Sequence, residues 1–384
     1  MNEAVVKNRS PLVLLDLAVL VGVMLLALLT FSPLKFTFAA AFDTWKEEWE
    51  KTVQAAKREG ELTLYGGEEI THAEILAAFN KDFPFIRVLT VGGHAGELAQ
   101  RIFAERRAGK YLVDLYAAGP NTPRMFYLGN LLDPIPPSLI LPEVTDTSKW
   151  YGARHWYADP ENQYLFMYEG TVTTTGLSYN TKLVSPDEIS SYWDVLKAKW
   201  KGKLLGMDPR GAALPTPVLV LYYKPGLGAE FIRRLFAETE ITLFRDRRQG
   251  TNWLAVGKFP ICIFCRDIDR AKKQGLFVEE VAADQLKEGG SVGGGGSSVI
   301  VLPSKAPHPN AAKVFINWYL SRQGQTVWQR VMNLKELEPS DSMRVDIPKN
   351  DVLPEGRRVE GRKYQVIGFF DPEPVQKLIN EVVK

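Results

Sequence analysis

The sequence predicts an α/β protein of two lobes that close on a shared cleft, and three observations carry that expectation. A strand, a glycine turn and a helix follow one another three times early in the chain, the pattern of a parallel sheet covered by helices. A second unit of similar build begins near residue 173. The apolar run Val299 to Leu302 then offers a strand that returns to the first unit. Two α/β units joined by two crossover strands make a clamshell, with ligand held between the lobes. The bulk properties agree: 384 residues allow two ordinary domains, and 45% hydrophobic with 24% charged residues is a globular composition. A net charge of +2 gives no electrostatic reason to expect nucleic acid or an acidic membrane as partner.

Residues 1–41 do not read as part of the fold. Lys7 and Arg9 precede an apolar stretch, Ser32-Pro33 breaks it, and Ala39, Ala40 and Ala41 supply small residues for cleavage after Ala41. The other reading is a retained anchor, because Pro11 to Phe31 is long enough to span a bilayer. Either way the chain from Phe42 onward is expected outside the cytoplasm, periplasmic or extracellular, since Lys7 and Arg9 outweigh Lys35.

Trp45 to Glu59 reads as a helix ended by Gly60. Strands follow at Glu61–Tyr65, Ile86–Val91 and Val113–Ala117, each closed by glycine, with helices expected over Glu69–Asp82 and Gly96–Ala108. In such sheets ligands bind beyond the carboxyl ends of the strands. The turns at Gly67, at His94 and Ala95, and at Gly119 and Asn121 are therefore expected to line one wall of the cleft. In the second unit, Met167 to Tyr179, with its threonine run ending at Thr175, is the candidate crossover strand. Lys203–Met207 runs into Asp208-Pro209-Arg210-Gly211 and a helix, and Phe259–Phe264 ends in Cys265-Arg266-Asp267. The expected division is 1–41 as signal peptide or anchor, 42–172 as the first part of lobe I, 173–297 as lobe II with a hinge strand, and 298–384 as the return to lobe I plus C-terminal helices. The tail from Pro372 onward reads as an amphipathic helix packing on a lobe.

From Trp45 to Asp346 the chain resembles family 1 extracellular solute-binding proteins of ABC importers, in the ferric-iron-type branch of the type 2 periplasmic binding fold. The stretches that carry the resemblance are Gly96 to Lys110 with Val113-Asp114, Ser178 to Lys182, Trp200 to Lys203 with Asp208-Pro209, Ala306 to Phe315 with Ser321 and Gly324-Gln325, and Arg344 to Asp346. The resemblance implies two mixed sheets flanked by helices, hinge closure on a ligand and delivery to a membrane permease by a monomer. It implies no enzyme activity and no cofactor. Ferric-binding members hold iron through two adjacent tyrosines on the second lobe; the matching corner here reads Phe264-Cys265-Arg266-Asp267. Ala118 stands where a first-lobe glutamate would be, and Glu68 and Glu69 where a histidine is common.

An anionic ligand fits these residues better than a bare cation. Arg210, ahead of a helix, and Arg266, at the next strand end, offer two guanidinium forks for a carboxylate or phosphate. The alternative is that each arginine pairs with its neighbour, Asp208 or Asp267. Glu68 and Glu69 suggest an ammonium group as well, so a zwitterion would reconcile both signs. His94 is open between ligand contact and solvated loop. Cys262 and Cys265 form a C-x-x-C pair on an expected strand, where positions three apart face opposite sides; that disfavours a disulfide or a shared metal site. A rival reading is a thiaminase-like enzyme on the same fold, with Cys265 as a nucleophile beside Arg266. The glycine run from Gly289 to Gly296 lacks the Gly-Lys-Ser/Thr ending of a phosphate loop and reads as a connector.

Overall fold

The computed structural model describes residues 32–210, 215–293, 299–334, 339–368 and 370–383, with the side chains of 32–43 and 247 excluded. The first lobe opens with one helix, α1 (Ser32–Glu59), which runs through the expected cleavage position and stops at Gly60, where φ is +68°. β1 (Glu61–Gly66), α2 (Glu68–Thr71), α3 (Ala73–Asp82), β2 (Arg87–Gly92), α4 (Ala95–Arg107), β3 (Leu115–Ala118) and α5 (Asn121–Leu128) complete the repeated strand–helix unit. The helix expected over Glu69–Asp82 is broken at His72, whose ψ of 134° ends α2 and whose ring nitrogen accepts from the Glu74 N–H to start α3. The alternating residues of β1 are buried on both faces from Leu62 onward, as in a parallel strand covered on each side.

After β4 (Leu132–Asp133), the short α6 (Pro142–Thr145), β5 (Trp156–Tyr157) and β6 (Phe166–Met167), the chain crosses to lobe II. There β7 (Leu177–Asn180), β8 (Leu204–Met207), α7 (Thr216–Tyr223), α8 (Gly228–Glu238), β9 (Thr242–Phe244), α9 (Arg247–Ala255), β10 (Ile261–Ile263), α10 (Ile268–Lys273) and β11 (Val278–Glu280) form the second unit. β12 (Ser291–Val292) and β13 (Val299–Pro303) lead back, followed by α11 (Pro309–Leu320), α12 (Arg322–Leu334), β14 (Gln365–Val366) and α13 (Glu373–Val382).

The first sheet runs β2-β1-β3-β13-β6-β5, with β4 on β13, and the second runs β11-β7-β10-β8-β9. Both are mixed: β13 is antiparallel to β3, and β7 antiparallel to β10 and β11. The return strand is completely buried and inserts beside β3, as the apolar run Val299 to Leu302 implies. The continuous crossover strand expected from Met167 to Tyr179 is instead two short strands with irregular chain between them.

Lobe I packs around Leu64, Leu115, Phe166, Ile300 and Phe315. Lobe II has apolar clusters on both sides of its sheet: Leu204, Phe231, Ile261 and Ile263 on one side, and Leu205, Phe244, Leu254 and Cys262 on the other. The tail helix α13 buries Val375, Leu378 and Ile379 in the lobe II core. Having left lobe II at β12, the chain therefore crosses between the lobes a third time before it ends.

Candidate functional site

The registers fix where the two walls meet. In lobe I the carboxyl end of β3, Ala118, pairs with Val299, the residue at which the return strand enters. In lobe II the carboxyl end of β10, Ile263, pairs with Leu177, the residue at which the outgoing strand enters. The strand ends that carry the candidate residues thus lie at the hinge side of both sheets.

The hinge itself is three segments side by side. Val172 bridges Val292, the Thr173 N–H donates to Ser291 O (2.9 Å) and the Gly293 N–H to Thr171 O (3.0 Å). β14 lies parallel to β12. Beyond it, Arg124 of α5 donates to Phe370 O (3.3 Å), while Tyr223 of α7 donates to Asp371 O (2.9 Å) and stacks on the Phe370 ring. The third crossing is therefore held from both lobes at adjacent residues.

Two ionisable groups, the half-buried Glu280 and the buried Lys224, tie the hinge to lobe II. Glu280 accepts from the Thr175 N–H (2.7 Å), and burial pushes its carboxyl up to about 7 against the pull of the Thr175 and Gly176 N–H groups. Lys224 donates to Gly289 O (3.0 Å), Gly290 O (3.3 Å) and Ser291 Oγ (2.9 Å), and burial lowers its ammonium to about 8. On the lobe I side, Asp341 is clamped by Lys349 (2.7 Å) and Arg358 (3.0 Å), and its backbone exchanges hydrogen bonds with Gly170 and Thr171. Composition carried no sign of Arg124, Lys224 or Glu280. Each sits in an ordinary amphipathic or mixed-charge run, and only the fold brings it to the hinge.

On the lobe I wall, Gly67 precedes α2 and its N–H donates to Glu69 Oε1 (2.9 Å). Glu69 is buried, 4% exposed, and its carboxylate curls back over Gly66 and Gly67. Glu68 is exposed. His94 precedes α4 with an exposed ring that caps no helix N–H, and the Ala95 carbonyl accepts from Tyr116 Oη (3.0 Å). Gly119 and the exposed Asn121 lead into α5.

On the lobe II wall, Thr175 is buried, and its hydroxyl donates to Val281 O (2.8 Å) and accepts from the Leu177 N–H (3.2 Å). Arg210 folds back on Asp208, with Nε on Oδ1 (2.9 Å) and Nη2 on Oδ2 (3.0 Å). Arg245 reaches the same carboxylate (3.0 Å), and these arginines hold the Asp208 carboxyl down near about 2. Arg210 is not at a helix start, because α7 begins only at Thr216. Gly211 lies outside the described residues. Arg266 is exposed and makes no ion pair or side-chain hydrogen bond among the described residues; its carbonyl accepts from Thr251 Oγ1 (2.7 Å). Asp267 is exposed, adopts a left-handed φ of +57° and precedes α10 without capping it.

The cysteine expectation is overturned: Cys262 and Cys265 form a disulfide. The parity argument assumed that the strand continues through residue 265. It stops at Ile263, and Phe264 takes a φ of +65°. That single left-handed residue, which costs roughly 1–2 kcal/mol, shifts the alternation. Phe264 falls into the cluster that holds Ile261 and Ile263, and Cys265 into the cluster that holds Cys262. With both sulfurs bonded, Cys265 offers no thiolate in this form, which removes the nucleophile on which the enzyme reading depended. Among the described residues no group of His, Cys, Asp and Glu could hold a metal ion.

Solved structures share this architecture. The chain superposes on iron-bound HitA from Pseudomonas aeruginosa with a TM-score of 0.52 and 17% identity, covering 84% of this chain and 99% of that one. The fold is that of the type 2 periplasmic binding proteins. An ABC transporter protein from Clostridium perfringens matches with a TM-score of 0.58 and 14% identity over 83% of this chain and 96% of that one. The spermidine/putrescine substrate-binding protein PotD from Streptococcus pneumoniae matches with 0.52 and 14% over 83% and 96%. No protein-family model matches the sequence, and comparison with curated proteins finds no match. The type 2 periplasmic binding neighbours thus include proteins of different cargo, and at these identities the likeness fixes the fold alone.

Proposed function

We propose that this chain is an exported, non-enzymatic solute-binding protein of an ABC importer that holds a small anionic or zwitterionic ligand between its lobes and passes it to a membrane permease. The observation that carries the ligand class is Arg266. It is an exposed guanidinium with no protein partner among the described residues, at the hinge-side end of β10. An arginine so placed suits a carboxylate or phosphate, which it can hold with two parallel hydrogen bonds. Arg124, half-buried on α5, is a second cation and lies beside the third crossing. Closure follows from differential affinity: a ligand that touches both walls favours the state in which they approach.

Gly67, Glu68, His94, Gly119 and Asn121 supply the lobe I side of this reading, with exposed polar groups for the ligand's other end. Glu69, Thr175 and Arg210 already have partners within the protein, so their part is to shape the walls. A disulfide at the corner suits a compartment outside the cytoplasm. No described helix is long and apolar enough to cross a membrane.

The test is a thermal-shift and calorimetric screen of residues 42–384 with citrate, ferric citrate, phosphate esters, dicarboxylates, amino acids and polyamines. A ligand present at 100 times its dissociation constant stabilises by about 2.7 kcal/mol. Stabilisation by an anion or zwitterion, lost in Arg266→Ala, supports the reading. Stabilisation only by polyamines or by uncomplexed ferric ion, indifferent to that substitution, sinks the anion assignment.

A further inference from the structure

We propose that the Cys262–Cys265 disulfide is a positioning brace for ligand binding: with the hinge residue Gly176 and with Thr251, it fixes the turn from which Arg266 projects. The inference rests on the reading of Arg266 as a ligand contact.

Three independent ties converge on four residues. The disulfide joins Cys265 back to the middle of β10. The Phe264 N–H donates to Gly176 O (2.6 Å), and the Phe264 ring lies so close to Gly176 that a Cβ there would meet its Cδ1 at 2.7 Å. The Arg266 carbonyl accepts from Thr251 Oγ1 of α9 (2.7 Å). Between these ties the backbone takes two left-handed residues, Phe264 at +65° and Asp267 at +57°. A bulky residue keeps such a conformation only when its surroundings over-determine it, and here the surroundings are the three ties.

The arrangement does more than staple a loop. Gly176 is the last residue of the outgoing crossover before β7, so the corner that presents Arg266 is bonded directly to the segment about which the lobes turn. The guanidinium itself has no protein partner among the described residues, and its direction is set only by the backbone beneath it. Loosening that backbone spreads the positions the guanidinium samples and weakens a bidentate contact, whose strength depends on preorganisation. Cys262 and Cys265 are thus positioning residues that act through Arg266.

The experiment compares the full chain carrying the intact disulfide with Cys262→Ala/Cys265→Ala, with Arg266→Ala and with the triple variant. Amide hydrogen exchange is followed at residues 264–267, and citrate is the binding probe. Without the disulfide, exchange at the corner is expected to rise tenfold or more, while β1 and β3 stay unchanged. Citrate affinity is expected to fall three- to tenfold, and the disulfide loss is expected to cost nothing further once Arg266 is gone. Thr251→Val, which keeps the disulfide and frees the Arg266 carbonyl, is expected to move both readouts in the same direction by less, and it supplies the test if the alanine pair fails to fold. Unchanged corner exchange in both would overturn the brace. So would an equal affinity loss with and without Arg266, because a purely structural staple predicts no coupling. If the intact protein ignores citrate and every other anion tried, the anion reading has failed, and the exchange measurement still decides whether the corner is braced.

Discussion

β8 and β10 lie side by side in lobe II, run parallel, and each ends three residues before an arginine, yet the two arginines are in opposite situations. At the β8 corner Arg210 is turned onto Asp208, whose side chain is only 4% exposed and also takes Arg245. At the β10 corner Arg266 makes no ion pair with its neighbour Asp267, which has entered the left-handed region ahead of α10. The difference is a matter of spacing and turn geometry. An aspartate two residues before an arginine in a simple turn can receive both its N–H and its fork. An aspartate one residue after it, across a disulfide-braced reversal, receives neither. One arginine neutralises the protein's own carboxylate, and the other, without a protein partner among the described residues, is the one we propose for a ligand.

Backbone substitutions give the sharpest separation of the corners. Gly176→Ala places a methyl against the Phe264 ring at a residue whose φ is +72°, so it combines a left-handed penalty with overpacking. A loss of about 3 kcal/mol is expected, read as a fall of roughly 5–10 °C in melting temperature. Gly206→Ala on β8 meets only the movable end of Ile241, without a positive φ, and should cost about 1 kcal/mol. Equal losses at the two positions would mean that the β10 corner is no more tightly determined than its neighbour.

Ligand affinity comes next. Removing the Arg266 fork is expected to weaken an anionic ligand 10- to 100-fold, since a hydrogen bond to a charged group contributes about 1.5–3 kcal/mol. Isothermal calorimetry at two salt concentrations would check it, because a contact at an exposed arginine also loses strength in salt. An affinity unchanged by Arg266→Ala would erase the functional difference between the corners.

These contrasts show how far the sequence was legible. The strand–glycine–helix rhythm placed the first three strands and the turns after them, because period and glycine position are local signals. The return strand was legible from four apolar residues in a row, Val299 to Leu302, which only a buried central strand accommodates. The state of each arginine was not legible. Asp208 and Asp267 both lie within two residues of an arginine, and what separates them is position in the turn together with two left-handed residues, Phe264 and Asp267, the first of a type that rarely adopts that conformation. Phe264 also defeated the parity argument about the cysteines. Glu280 and Lys224 were missed because their roles come from segments far apart in the chain meeting at the hinge.

Glu280 supplies a pH test of the β10 side. Its folded carboxyl lies near about 7, above the usual range near 4.5, so the folded state holds its proton more tightly than the unfolded chain. That contribution to stability is fully present below about pH 4.5 and is lost as pH rises through 7. Glu280→Gln keeps an acceptor for the Thr175 N–H without the ionisation. Melting temperature measured from pH 5 to 8 should therefore fall less in the variant than in the parent. The same downward slope in both would place the titration elsewhere.

The smallest expected effect is also the most discriminating. Arg210→Ala should leave anion affinity within about twofold, since its guanidinium is engaged by Asp208 and an exposed ion pair contributes little. Its trace should appear in stability above about pH 4 and fade in acid. Asp208 has a carboxyl held near about 2 by Arg210 first and Arg245 as well, so its contribution to stability is present above about pH 4 and lost as pH falls towards 2. With Arg210 gone and Arg245 remaining, that contribution shrinks, so the variant's melting temperature should lie slightly below the parent's above about pH 4 and converge with it as pH falls towards 2. If Arg210→Ala instead weakens anion binding as much as Arg266→Ala does, the ion pair with Asp208 must open when ligand enters. The two corners would then act as a pair of forks, and the division of labour between them would be wrong.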